Sequence, residues 1–171
     1  MKIGILGAGN IGQTLKVMLD SVEGVSKANL ADNAVSSDVM VDVATGENLS
    51  DFVAEHDAIV NALPFYLNQA IARACAEARR SYFDFSEDVA SSAFVRHLAE
   101  NETELVFVPQ CGLAPGTINI IGASLIASLD EVKSLELRVG ALPLSIGLIC
   151  TISTSSVDVA RRNGSTDGLP L

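Results

Sequence analysis

The stretch KIGILGAGNIG, Lys2 to Gly12, constrains this chain more than any other. Ile3, Ile5 and Leu6 form a short apolar run, as a buried strand does. It ends in Gly7-Ala8-Gly9-Asn10-Ile11-Gly12, a G-x-G-x-x-G. Ile11, Leu15, Met18 and Leu19 then recur at i, i+4, i+7 and i+8, the spacing of one helix face. A glycine motif on a strand-to-helix turn has a mechanical reading. Gly7 permits the tight turn, Gly9 lets a pyrophosphate approach the backbone, and Gly12 lets helix and strand pack closely. The helix start offers unbonded N–H groups and the positive end of its dipole to phosphates. A dinucleotide is therefore expected here, held around Gly7, Gly9, Asn10, Ile11 and Gly12.

Downstream the alternation continues. Strands are expected at residues 28–32, 39–43, 58–60, 81–85 and 105–108. Between them lie helical patterns: residues 49–56, with Asn48 or Ser50 as N-cap; a stripe of Leu67, Ile71, Ala74, Cys75 and Ala78; Phe94, Val95 and Leu98, capped by Ser86 or Asp88; and residues 116–129, with Ile118, Ile121, Gly122, Leu125 and Leu129 in phase. Such regular alternation implies right-handed βαβ units and a parallel sheet, whose strands read as near-continuous apolar runs because both faces are covered. The pattern changes near Asp130, where Leu135, Leu137 and Val139 alternate with Ser134, Glu136 and Arg138, as in a half-exposed antiparallel strand. Beyond Pro143 no periodicity remains. The expected fold is α/β, a Rossmann-type doubly wound parallel sheet over residues 1–129. Residues 130–171 are expected to open a second domain and end in an irregular tail.

Ligands of such sheets bind outside the carboxyl ends of the strands. Asp32, about 20 residues past the glycines, can accept hydrogen bonds from the adenosine ribose. It also repels a 2′-phosphate, and Asn33 follows it rather than Lys or Arg, so NAD is expected over NADP. Asp42 is expected near the adenine, and Ala62, Leu63, Pro64 and Ser86 beside the cofactor. Around the reactive end stand Tyr66, as a hydrogen-bonding hydroxyl, Glu87 or Asp88, to hold a cation or act as base, and Cys111, to pack there. Helix capping explains Asp88 equally well. His56 and His97 read as solvated surface residues and Cys75 as core. No acid–base dyad stands out, so catalytic residues stay unassigned.

The formal net charge of −10 argues against a partner that is nucleic acid or an anionic membrane. Three cysteines, Cys75, Cys111 and Cys150, without a C-x-x-C, argue against a zinc ribbon or disulfide framework, and no metal is expected. The first apolar run is too short for a signal peptide. Residues 139–152 contain Pro143 and fall short of the ~20 residues that a spanning helix needs. A cytoplasmic protein is expected.

GAGNIG, NALPFYLNQAIARAC from Asn61, YFDFSED from Tyr82 and VPQCGLAPG from Val108 together resemble the saccharopine dehydrogenase family, above all its lysine 6-dehydrogenase-like branch. The likeness extends over residues 2–143. It implies an NAD(P)-dependent oxidoreductase that moves hydride between a nicotinamide and an amino-acid amine or imine. Such proteins follow the nucleotide domain with a larger α+β domain that recognises the substrate and supports dimer contacts. The resemblance therefore implies that residues 130–171 are the incomplete start of an α+β substrate domain with an irregular tail. The likeness stops after Leu144, which implies a cofactor-binding half without turnover of its own and a tendency to form homo-oligomers. The alternative is a non-catalytic dinucleotide sensor. A sugar epimerase or short-chain reductase would carry Tyr-x-x-x-Lys, and neither Tyr66 nor Tyr82 has a lysine four residues on.

Overall fold

The computed structural model describes residues 1–34, 36–100, 104–138 and 154–157. Its elements follow the expected alternation: β1 (Lys2–Leu6), α1 (Asn10–Leu19), β2 (Lys27–Asp32), β3 (Val39–Met40), α2 (Leu49–Ala54), β4 (Ala58–Asn61), α3 (Asn68–Glu77), β5 (Ser81–Asp84), α4 (Val89–Glu100) and β6 (Phe107–Val108). The six strands form one parallel sheet in the order β3-β2-β1-β4-β5-β6. The chain starts in the middle, builds outward to β3, then returns across β1 to build the other half. This is the doubly wound α/β arrangement, and its strand order reverses between β1 and β4.

Alternation along the strands sorts the core. Ile3 and Ile5 of β1 join Ala28 and Leu30 of β2 under α1, packed by Leu15 and Leu19. The opposite face carries Leu6, Ala31, Ile59, Tyr82 and Phe107, covered by Phe52 and Val53 of α2, Ile71 and Cys75 of α3 and Val95 of α4. At the carboxyl edge the register places Ala31, Leu6, Asn61 and Asp84 in one row across four strands.

Several details differ from expectation. In α1, Gly12, Leu15 and Leu19 face the sheet, while Ile11 is 56% exposed and Met18 also points out. The third strand is only two residues long; Val41 and Val43 are buried in irregular chain beyond it. Asn48 occupies the N-cap position of α2 with φ of 60°, but its side chain donates to Met40 O (3.1 Å) rather than capping the helix. His56 is not a surface residue: it is 1% exposed. Gly4 makes room for its ring, since a Cβ there would lie 3.1 Å from His56 Cγ and 2.8 Å from Phe52 Cε1. The Nδ1 atom meets Phe52 O at 2.6 Å and Nε2 meets the Asn29 amide nitrogen at 2.9 Å, which requires Nδ1 to carry the proton and Nε2 to accept. His97 is exposed as expected.

The chain divides into two compact units, Met1–Pro115 and Gly116–Leu171. The second contains α5 (Thr117–Ala127), β7 (Leu135–Arg138) and β8 (Thr154–Val157), with β7 and β8 antiparallel. The expected half-exposed strand is β7. Helix α5 packs on it, because a Cβ on Gly122 would lie 3.1 Å from a Leu137 methyl. The helix therefore groups with the second unit rather than with residues 1–115. Strand β8 lies inside the Ser/Thr-rich run that has no visible periodicity. Val139 and the tail from residue 158 lie outside the described residues.

Candidate functional site

The glycine turn is built by three different constraints. Gly7 has φ of 111°, a left-handed conformation that side chains disfavour, and a Cβ there would lie 2.9 Å from the Ala62 carbonyl carbon. A Cβ on Gly12 would overlap Gly7 O. Both glycines are thus demanded by the fold itself. Gly9 is not: its φ is −75°, and a Cβ there would meet nothing within 4 Å. The space above Gly9 is open. It lies at the N-cap of α1, where no side chain caps the helix and no acidic residue stands in the first turn. The leading N–H groups of Asn10, Ile11 and Gly12 keep the positive helix end available for an anion.

Asp32 ends β2 beside this turn. Its Oδ2 accepts the Ala8 N–H (2.6 Å) and its Oδ1 the Asn33 N–H (2.7 Å), so the carboxylate is held against the glycine loop. Gln13 braces the same loop by donating to Ala8 O (2.9 Å). Asp42 sits beyond β3 and accepts the Ala44 and Thr45 N–H groups (2.9 and 3.2 Å), a local turn that occupies one carboxylate oxygen.

On the other side of β1 an open cleft of about 450 Å3 runs along the ends of β4 and β5. Asn61, Ala62, Leu63 and Phe65 line one wall; Asp84, Ser86, Glu87 and Asp88 line the other, and Ile11 joins them from α1. The described lining contains three carboxylates and no Lys, Arg or His. Its walls are shaped by buried side chains. The Asn61 amide donates to Asn68 Oδ1 (2.8 Å) and to the Tyr82 hydroxyl (3.2 Å), while its oxygen accepts the Leu63 N–H (2.9 Å). Asp84 Oδ1 accepts the Ser86 N–H (2.8 Å), and Asp84 O takes the Cys111 N–H (2.7 Å), tying the β6 loop to β5. Burial, and then the charge of Asp84, push the Tyr82 phenol upward, so it stays protonated.

The residues singled out from sequence fall in different places. Ala62, Leu63, Ser86, Glu87 and Asp88 share the cleft with Ile11; Pro64 and Tyr66 are not among its lining residues. Tyr66 is 70% exposed and stands edge-on to Phe65, which lines the cleft. Asp88 caps α4: its Oδ1 accepts the Ser91 N–H (2.8 Å), and that bond holds its carboxyl below the usual range. Glu87 is exposed at the lip. The Cys111 thiol donates to Val108 O (3.3 Å) and is pushed up by burial and then by Asp84, which keeps it protonated. Sequence reasoning missed Asn61 as a side chain, Asn68 and Asp84. A signal existed for each. Asn68 is in phase with Ile71 and Cys75, and Asp84 and Asn61 lie two residues beyond the buried Tyr82 and Ile59.

The family model described as the saccharopine dehydrogenase NADP binding domain matches residues 3–108, from β1 to the end of β6. The chain belongs to the saccharopine dehydrogenase family. The matched segment is that family's nicotinamide-dinucleotide domain, and the open turn at Gly9 belongs to it. Solved structures repeat the fold. Apo saccharopine dehydrogenase (L-Glu forming) from Saccharomyces cerevisiae is 17% identical with a TM-score of 0.55, covering 74% of this chain and 31% of that one. Apo scyllo-inositol dehydrogenase from Lactobacillus casei is 14% identical with a TM-score of 0.54, covering 75% and 40%. UDP-N-acetylglucosamine 3-dehydrogenase from Acidithiobacillus ferrooxidans is 16% identical with a TM-score of 0.53, covering 75% and 42%. The chain spans less than half the length of each of these proteins.

Among the described residues no helix is long and apolar enough to cross a membrane, and no group of three or more His, Cys, Asp or Glu could hold a metal ion.

Proposed function

We propose that this chain is the cofactor-binding half of an oxidoreductase acting on an amino-acid amine or imine. One observation carries the reading: the open space at Gly9, which nothing in the protein's own packing requires and which a pyrophosphate over the start of α1 would use. Ala62 and Leu63 border the glycine turn, and Ile11 joins them in the cleft wall. The nicotinamide, when bound, supplies the hydride chemistry. The protein's share is to hold the ring and bring a substrate to it. The acidic lip of Glu87 and Asp88 suits a cationic amine, and Asp88, held ionised, serves charge rather than proton transfer. Cys111, kept as a thiol, is a packing residue.

NAD is the preferred cofactor in this reading, although the family description names NADP. The Asp32 carboxylate can turn from its loop contacts to the ribose hydroxyls, and it would repel a 2′-phosphate. Thermal-shift titration of the full chain tests this. NAD should stabilise it at lower concentration than NADP, and Asp32→Ser should reduce the difference; equal stabilisation of the native chain by both would sink the preference.

The chain is also expected to associate with itself, because Ile120, Ile121, Leu125 and Leu129 of the second unit expose apolar side chains. A concentration series in sedimentation should show species larger than the monomer. A monomer throughout would remove this element. A reducing compartment such as the cytoplasm fits the free Cys75 and Cys111.

A further inference from the structure

Gln13, which directly follows the glycine motif, holds two carbonyls of the turn at once. Its backbone N–H donates to Gly9 O (3.0 Å), the opening bond of α1, and its side-chain Nε2 donates to Ala8 O (2.9 Å). In a trans peptide unit the N–H points opposite to the C=O that it is bonded to. Holding Gly9 O therefore aims the Asn10 N–H out of the helix start. Holding Ala8 O aims the Gly9 N–H the same way. These two belong to the four donors that a helix start leaves without backbone partners. What secures each of them differs. The bond to Gly9 O is one that any helix makes from its own backbone. Ala8 O lies ahead of the helix, and the Gln13 side chain supplies its donor. The peptide unit before it, Gly7–Ala8, is set from the other side, by Asp32 Oδ2 on the Ala8 N–H (2.6 Å).

We propose that Gln13 is a positioning residue for the pyrophosphate of a dinucleotide: its amide turns the Ala8–Gly9 peptide so that the Gly9 N–H joins that of Asn10 as a donor to phosphate. The proposal rests on the dinucleotide reading above and adds a residue that acts on the ligand through the backbone. Three observations set this bond apart from an idle surface contact. The space outside Gly9 is empty of protein, so a donor aimed there meets ligand or solvent. No side chain caps α1 and no acidic residue stands in its first turn, so the protein's own side chains do not compete for these donors. When Asp32 turns to a ribose, Ala8 loses one of the two side chains that hold it, and Gln13 is the one that stays. The demand on Gln13 is therefore greatest with the ligand in place.

Gln13→Met tests the assignment, because it keeps the length of the side chain and removes the donor. The side chain lies at the surface, so the exchange leaves the fold intact. Two probes are titrated into the isotope-labelled full chain and followed by NMR: ADP-ribose, which carries the pyrophosphate, and adenosine, which keeps the ribose for Asp32 and has no phosphate. In the native chain ADP-ribose should move the Gly9 amide resonance downfield, as a charged acceptor does, and adenosine should leave it in place. Gln13→Met should bind ADP-ribose about tenfold more weakly, the worth of one hydrogen bond to a charged acceptor, and lose the Gly9 shift. Its affinity for adenosine should be unchanged. If both probes weaken in the same proportion, Gln13 only supports the turn and the assignment is overturned. Equal ADP-ribose affinity in the variant and the native chain overturns it too, as does a native Gly9 amide that does not respond to bound ADP-ribose. If ADP-ribose fails to bind the native chain, the dinucleotide reading itself falls and takes the assignment with it.

Discussion

Gly9 and Gly12 carry the same side chain for opposite reasons, and substitution separates them. At Gly12 a methyl overlaps a carbonyl oxygen of the turn, a backbone atom that cannot step aside. Gly12→Ala should cost more than about 3 kcal/mol and leave little folded protein. At Gly9 a methyl meets open space at an ordinary φ, so Gly9→Ala should cost no more than about 1 kcal/mol, the loss of a favourable N-cap residue. It should nonetheless abolish stabilisation by NAD. Urea unfolding with and without the dinucleotide checks both; a Gly9→Ala chain stabilised like the native one would remove the ligand from that space. His56 teaches a complementary lesson. Its burial depends on an absent Cβ at Gly4 and on Asn29, partners brought to it only by strand pairing. Nothing in the local sequence around His56 announces them.

At the scale of elements, the alternation of periods 2 and 3.6 made the six-stranded sheet and its helices readable from sequence, because each period reports which side is buried. The limits of short elements were less readable. Val41 and Val43 have strand-like chemistry yet are buried in irregular chain, since burial and not hydrogen bonding set their pattern. The cleft was half readable. Exposed polar residues at strand ends, such as Ser86 and Glu87, are visible in the sequence, whereas Asn61, Asn68 and Asp84 hide on faces whose apolar members dominate the pattern. Asp88 shows how an element's end doubles as a site wall. Asp88→Ala removes the acceptor of the Ser91 N–H and should lower the urea midpoint, while Asp88→Asn should retain most of the cap. Equal losses from the two variants would mean that charge, and not capping, matters there.

At the scale of the whole molecule, pH dependence follows from groups spread through the fold. Asp38 and Asp57 are held low chiefly by the backbone N–H groups of Leu30 and Lys2, as Asp88 is by that of Ser91. The unfolded chain takes up those protons first, so stability falls as pH drops below the ordinary value of 3.8. Burial pushes the Cys75 thiol from 9.0 up to about 12. Here the unfolded chain releases its proton first, so stability falls as pH rises above 9.0. Tyr82, raised in the same sense, adds to the loss at higher pH. Urea midpoints should be level through neutrality and decline on both sides, and Cys75→Ala should soften the alkaline decline. A decline unchanged by that substitution would show that Cys75 does not ionise on unfolding.

The strand order has a consequence for how the chain comes off the ribosome. Strand β1 is made first yet ends up in the centre, bonded to β2 on one edge and β4 on the other. The half-sheet of β1, β2 and β3 can assemble once residue 40 has emerged, but the second edge of β1 waits for residues 58–61. Until then Ile3, Ile5 and Leu6 border an open row of backbone donors and acceptors, the kind of edge on which stray strands pair. Strands β5 and β6 then each add beside the strand made just before. Slowed translation between residues 40 and 58 would therefore prolong the one interval in which the nascent chain is most exposed to mispairing.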